Sequence, residues 1–231
     1  MELPEIIYED RHLVAVMKPA RIPVASEKSG DVSLLEIVRN WNAGRQEEGK
    51  KGYCVPIHFL DRPVSGVILF GLSSKAAARL NTLFRERRIR KTYLAVTSEV
   101  PVPAQARLKH WLAKDRDENF SKVVASGFDG AKLSELEYKV LAQTERLAMV
   151  QVNPVTGRSH QIRAQMSAIG CALLGDTKYG ARSPWDGMVA LHAAQLEFEH
   201  PVGGKKMCLK ARLPDYWREI WPLNFPELSK T

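Results

Sequence analysis

Short β-branched runs broken by turn residues open the chain. EIIYEDRHLVAVMKP, residues 5–19, sets apolar stretches on either side of a charged turn and predicts two strands that end before Pro19. SLLEIVRNW then places Glu36 three residues after Ser33, the spacing at which two side chains satisfy the free N–H groups of a helix start, and predicts a helix over about 34–41. NAGRQEEGKKG, residues 42–52, is glycine-rich and charged and predicts a solvated loop. VILFG, residues 67–71, has apolar residues on both faces and predicts a central strand. In KAAARLNTLFRERR the positions Ala76, Leu80, Leu83 and Phe84 follow helical spacing, with Ser74 as the cap and a basic opposite face.

KTYLAVT, residues 91–97, continues as a strand, and the stretch from Pro101 to Ala131 reads as irregular. LSELEYKVL and RLAMVQVNPV predict two strands paired with one another. HQIRAQMSAIG predicts a helix with Thr156 and Ser159 as caps and Gly170 as its stop. That helix carries Ile162, Met166 and Ile169 on one side and His160, Arg163 and Ser167 on the other. ALHAAQLEFEHP and KMCLKARLP close the chain as strands before a Trp-rich tail. Internal repeats, low-complexity segments and a Gly-rich nucleotide loop are all absent from the sequence. Many strands and few helices without regular βα alternation define an α+β class.

At 231 residues the chain fits one large domain or two closely joined lobes. Its net charge of +8 favours a polyanionic partner, either nucleic acid or an anionic membrane surface. The longest apolar runs fall far short of the ~20 residues that cross a bilayer, so no membrane span is expected. MELPEIIYED lacks a basic region followed by an apolar core, which makes the cytoplasm the expected compartment. Cys54, Cys171 and Cys208 are scattered without metal-ligand spacing and read as reduced packing residues.

Three stretches carry candidate chemistry. RERRIRK brings Arg85, Arg87, Arg88, Arg90 and Lys91 together at a helix end, a surface for phosphates or simply a solvated terminus that complements the carbonyl dipole. TGRSHQIR puts Arg158, His160, Gln161 and Arg163 at a helix start, where free N–H groups already favour an anion. HFLDRPVSG sets Asp61 before a rigid turn made by Pro63 and Gly66, the preorganised geometry that a catalytic carboxylate needs. Arg62, next in an extended segment, points away from Asp61, so Arg163 is the better cation to keep that carboxylate ionised.

These stretches resemble a known family. H-F-L-D-R-P-V-S-G resembles the catalytic motif H-R-L-D-x-x-T-S-G of the RluA-type RNA pseudouridine synthases. R-K-T-Y-L-A-V resembles the family's tyrosine strand, and T-G-R-S-H-Q-I-R followed by L-L-G-D-T-K-Y-G resembles its third signature. The three occur in the family's order and at its spacing, and the similarity covers nearly the whole chain. The resemblance implies a cofactor-free isomerisation of uridine within RNA, in which the base is detached, rotated and rejoined through a ring carbon. It implies that Asp61 is the catalytic aspartate, Arg163 its partner and Tyr93 the active-site tyrosine that packs on the base.

It further implies a single catalytic domain over 1–231, built as a long bent mixed sheet, mainly antiparallel, flanked by helices and loops with a central active-site cleft. RNA is the expected partner, ribosomal first and transfer second, with no metal, membrane or obligate protein partner. His58, Phe59, Arg62, Arg85, Arg87, Arg88, Arg90, Lys91, Arg158, His160 and Gln161 are the expected RNA contacts. Many relatives carry a separate N-terminal RNA-binding domain, whereas this chain enters its catalytic core within the first ten residues. Two positions depart from the pattern: Phe59 stands where the family has an arginine, and Val64 replaces a threonine. Phe59 either wedges against base steps or has joined the core. Two rivals remain at this stage: a non-catalytic RNA binder on the same scaffold, and a metal-dependent hydrolase using His58, Asp61, His160 and His192. The second lacks any local HxH, HExxH or paired-carboxylate spacing.

Overall fold

The computed structural model describes residues 2–27, 30–45, 52–115, 117–221 and 224. In chain order the first elements are β1 (Ile6–Glu9), β2 (Leu13–Lys18), α1 (Leu34–Ala43), β3 (Val55–Pro56), β4 (Ser65–Gly71) and α2 (Ser74–Arg85). β5 (Arg90–Thr97), β6 (Gln105–Asp115), β7 (Phe120–Val124), β8 (Lys132–Gln143) and β9 (Ala148–Pro154) follow. α3 (Gln161–Ala168), β10 (Leu191–Glu199) and β11 (Lys206–Lys210) complete the set, with short 3-10 turns at Thr177–Tyr179 and Asp215–Glu219. This is the expected α+β class.

The residues form two compact units, one of 1–91 with 193–213 and one of 92–192 with 214–231. In the first, β1, β2, β4 and β10 lie side by side in that order, with β3 on β4 and β11 on β10. β4 is buried along its whole length, as its unbroken apolar run predicts. The Ser33–Glu36 capping box forms as read: Ser33 N–H donates to Glu36 Oε2 at 2.8 Å and Glu36 N–H to Ser33 Oγ at 3.3 Å. The helix it starts runs on through Asn42 and Ala43, and residues 46–51 of the expected loop lie outside the described residues.

α2 corrects two details. Its cap is Ser73, not Ser74, because Ser73 is the extended residue whose Oγ accepts the Ala76 N–H. The helix stops at Arg85 because Arg87 turns left-handed at φ 59°, returning its N–H to Phe84 O while Arg88 N–H reaches Leu83 O. The last part of the basic cluster is therefore a helix stop and a new strand.

In the second unit β5, β9, β8, β6 and β7 lie in that order, with every pair antiparallel. β8 and β9 pair as expected. The stretch 101–131 is not irregular: it contains β6 and β7. Its alternation was diluted, since the inward half of β6 is Ala106, Leu108, His110 and Leu112 and the outward half is mostly long and charged. α3 ends as predicted at Gly170, with Cys171 N–H on Met166 O and Gly170 N–H on Ser167 O. Neither Thr156 nor Ser159 caps it; His160 occupies the cap position and gives no side-chain cap bond. Trp217 and Trp221 from the tail are buried.

Candidate active site

In the first unit the chain around Asp61 is held by its main chain. Val64 N–H donates to Asp61 O at 3.0 Å, closing a turn over Arg62 and Pro63, and Arg21 N–H donates to Arg62 O at 2.8 Å. Gly66 follows at φ 126°, where a Cβ would overlap the Ala193 backbone, so no other residue fits the entry into β4. Beneath the turn lies Lys18, the last residue of β2, in register with Gly66 and fully buried. Its ammonium donates to three carbonyls: Pro19 at 2.9 Å, Arg62 at 3.1 Å and Val64 at 2.7 Å. The peptide groups just after Asp61 are thereby pinned from below.

Burial pushes the Lys18 pKa down to about 7, while Asp61 and Glu27 favour its charge and Arg62 opposes it. The Asp61 carboxylate thus acts within the field of a buried cation. Arg62 itself turns to Asp31 at 2.6 Å and Glu27 at 3.7 Å, from a turn and not from the extended segment expected.

The neighbours of Asp61 divide sharply. Phe59 is 66% exposed, which excludes a place in the core. His58 is turned inward: its Nε2 accepts the Leu69 N–H at 3.2 Å and its ring stacks on Phe84 at 5.1 Å. Burial, assisted by Lys91, pushes the His58 pKa down to about 3, so the ring is neutral with its proton on Nδ1. Burial also lowers Lys91, to about 8. Within the basic cluster Arg85 bonds Thr82, Arg88 pairs with Glu199 at 2.8 Å and Glu86 at 3.6 Å, and Arg87 and Arg90 are exposed.

In the second unit Tyr93 lies on β5 opposite Val152 and is nearly buried. The His160, Arg163 and Ser167 side of α3 faces one segment, Asp176–Tyr179. Arg163 donates through Nε and Nη2 to the two carboxylate oxygens of Asp176, each at 2.7 Å, and its guanidinium lies 4.8 Å from the Tyr179 ring centre. Both ion-pair partners are buried. Ser167 Oγ donates to Tyr179 O at 2.6 Å, and His160 Nδ1 lies 3.0 Å from Tyr179 OH.

Tyr179 OH also accepts the Ser121 N–H, so the one hydroxyl ties the β7 backbone to the His160 ring. His160 holds φ 51°, a left-handed conformation that few non-glycine residues adopt. Gln161 is buried and braces the loop: it accepts from Thr156 Oγ1 and Arg158 N–H and donates to Glu135 O. Arg158 is exposed beside it.

Sequence reasoning missed Lys18, Asp176 and Tyr179 as parts of these settings. Lys18 ends a strand just before Pro19, and nothing in its local sequence singles it out. Asp176 and Tyr179 stand within LLGDTKYG, a segment that carried only resemblance and no chemistry of its own. Among the described residues no group of three His, Cys, Asp or Glu side chains gathers as a metal site, and no helix is long and apolar enough to cross a membrane.

Comparison with known proteins bears on both settings. The family model described as RNA pseudouridylate synthase matches residues 12–168. A ribosomal large subunit pseudouridine synthase C from Rickettsia bellii is 31% identical over 218 residues, covering 93% of this chain and 70% of the relative. A tRNA pseudouridine synthase C from Yersinia pestis is 33% identical over 238 residues, covering 94% and 89%. Among solved structures, human RNA pseudouridylate synthase domain containing 4 superposes with a TM-score of 0.79 at 23% identity, covering 96% of this chain and 94% of that one. That likeness establishes the fold.

Proposed function

The chain belongs to the RNA pseudouridylate synthase family, and we propose that it isomerises uridines of structural RNA, ribosomal first and transfer second, with Asp61 as the reacting carboxylate. The observation that carries the assignment is the setting of Asp61: a turn closed at Val64, pinned through its carbonyls by a buried lysine, on a motif otherwise matching the family's. A carboxylate so fixed can bond to the sugar carbon or stabilise charge there while the base is detached, rotated and rejoined. Arg163 serves as its partner cation and Tyr93 packs on the base. The uridine must first leave its stack, at a cost of a few kcal/mol that contacts to the RNA backbone offset. Phe59, Arg62, Arg85, Arg87, Arg88, Arg90, Lys91, Arg158 and His160 supply those contacts, while His58 and Gln161 act from beneath by holding strand and loop. No cofactor enters the reaction.

The test maps pseudouridines across ribosomal and transfer RNA in cells with the protein, without it, and with Asp61→Asn in its place. At least one site is expected to vanish in both altered strains, with a loss of rate in vitro on the order of 10^4-fold or more for the variant. An unchanged map in both would sink the assignment.

A further inference from the structure

We propose that the outer face of the β6–β7–β8 sheet is a second RNA-docking surface, on which Trp111 stacks against an unpaired base. The proposal rests on RNA being the substrate and adds a place where that RNA is gripped.

Register defines the face. Trp111 stands opposite Val124 of β7 and opposite Leu133 of β8, so the three side chains share one side of the sheet. The other side belongs to α3: Leu112 packs with Ala164 and Tyr179, and the Gln165 amide reaches Leu108 O, Ser134 O and the His110 ring. Since neighbours on a strand point to opposite faces, Trp111 points away from α3.

There it is 37% exposed, with Leu133 at 39% beside it. Eight large hydrophobic side chains are exposed among the described residues, and three of them belong here, Trp111 and Leu133 on this face and Phe128 in the loop joining β7 to β8, while Val123, opposite Leu112, points to the other side. Scattered single residues would need no account; such clustering marks an interaction surface.

Charge selects the occupant. The row next to Trp111 on the same face holds Lys109 opposite Glu135, and the row beyond holds Arg107 opposite Glu137. Lys139 stands opposite Gln105, and on the other side of Trp111 Lys122 stands opposite Ala113. Cations therefore flank the indole at both ends and, with Asp115 in the row beyond Lys122, exceed the acids four to three, Arg107 and Lys109 being paired with Glu135 and Glu137. Lys122 also lies 5.7 Å over the Phe128 ring, which holds that exposed aromatic beside the strip. An aromatic platform between cations is the arrangement that takes a single strand, bases on the ring and phosphates on the flanks. An apolar protein partner would instead have to strip water from those lysines.

The experiment measures the affinity of the full chain for in vitro transcribed large-subunit ribosomal RNA by mobility shift, over a series of salt concentrations. Trp111→Ala is expected to weaken binding about tenfold, Trp111→Phe to keep most of it, and Lys109→Glu with Lys122→Glu to flatten the salt dependence. Glu137→Gln, which removes an acid from the same face, is expected to tighten binding, a gain that damaged folding cannot mimic. Unchanged affinity in Trp111→Ala overturns the proposal, and so does a wild-type dimer that Trp111→Ala dissociates, which would make the face a contact between copies. Pseudouridine formation is scored separately: its absence in the wild type strikes at the isomerase assignment, whereas intact turnover with unaltered affinities strikes only at this face.

Discussion

The turn that carries Asp61 is held through main-chain atoms, whereas Arg163 is held through its side chain. The Asp61 turn is closed by one peptide bond to another and pinned by an ammonium that touches only carbonyls. Arg163 is gripped by a carboxylate in two-point contact and backed by an aromatic ring. The difference follows from what each residue is proposed to do. A carboxylate that must meet a sugar carbon needs a fixed origin, which a turn held through its backbone supplies. A guanidinium has five donors, and can spend two on a permanent anchor while keeping the rest for another partner.

This contrast is broken most directly by removing each anchor. Asp176→Asn leaves a buried guanidinium facing a neutral amide, and should cost about 3–5 kcal/mol of stability together with most activity. Lys18→Met removes a buried charge whose own desolvation is expensive, so its stability cost should be small or even reversed. Its turn, however, loses three restraints, and kcat should fall about 10^2-fold through misplacement of Asp61. Urea unfolding and steady-state rates on both variants check the pair. Equal destabilisation in the two would erase the distinction between a side-chain anchor and a main-chain anchor.

The same contrast explains what was legible in the sequence. Asp61, Tyr93 and Arg163 were nameable because the motifs around them match the family, and the capping box at Ser33 and the stop at Gly170 were readable because they are local chemistry. Lys18 was not, since it acts on residues 44 and 46 positions away and nothing near it shows that the strand end is covered. Asp176 was quoted within a motif, but its bond to Arg163 depends on how the chain returns beneath α3. β6 and β7 were lost because cations stand where a half-buried strand usually shows polar residues, and alanine and histidine stand where it shows large apolar ones. That misreading hid the exposed strip around Trp111 as well.

His58 sharpens the comparison from the first unit's side, because here a side chain serves the main chain. Its Nε2 accepts the Leu69 N–H only while the ring is neutral. Its pKa is about 3 in the folded chain against an ordinary 6.5. Between those values the unfolded chain binds the extra proton, so stability rises with pH across that window and is lost as pH falls through it. The slope should reach up to about 1.4 kcal/mol per pH unit. His58→Gln keeps an acceptor that does not titrate and should flatten the dependence between pH 6.5 and 4, measured by urea unfolding at each pH. An unaltered slope would mean that other groups govern acid unfolding.

Phe59 offers the smallest effect and the finest cut. It adjoins His58 in sequence, yet one ring is turned inward and the other is 66% exposed. An exposed phenylalanine supplies little folding energy, so Phe59→Ala should shift stability by no more than about 0.5 kcal/mol. If the ring wedges into the step left by the flipped uridine, its loss should raise KM about tenfold, since stacking on an aromatic side chain contributes roughly 1–3 kcal/mol per base. Phe59→Arg, which restores the family's residue, should recover part of that loss by charge rather than by stacking, and its recovery should fade as salt rises. Unchanged KM in Phe59→Ala would leave the ring as surface. A loss of stability instead would place Phe59 with His58 as a support of the turn, and the division between these two neighbours would disappear.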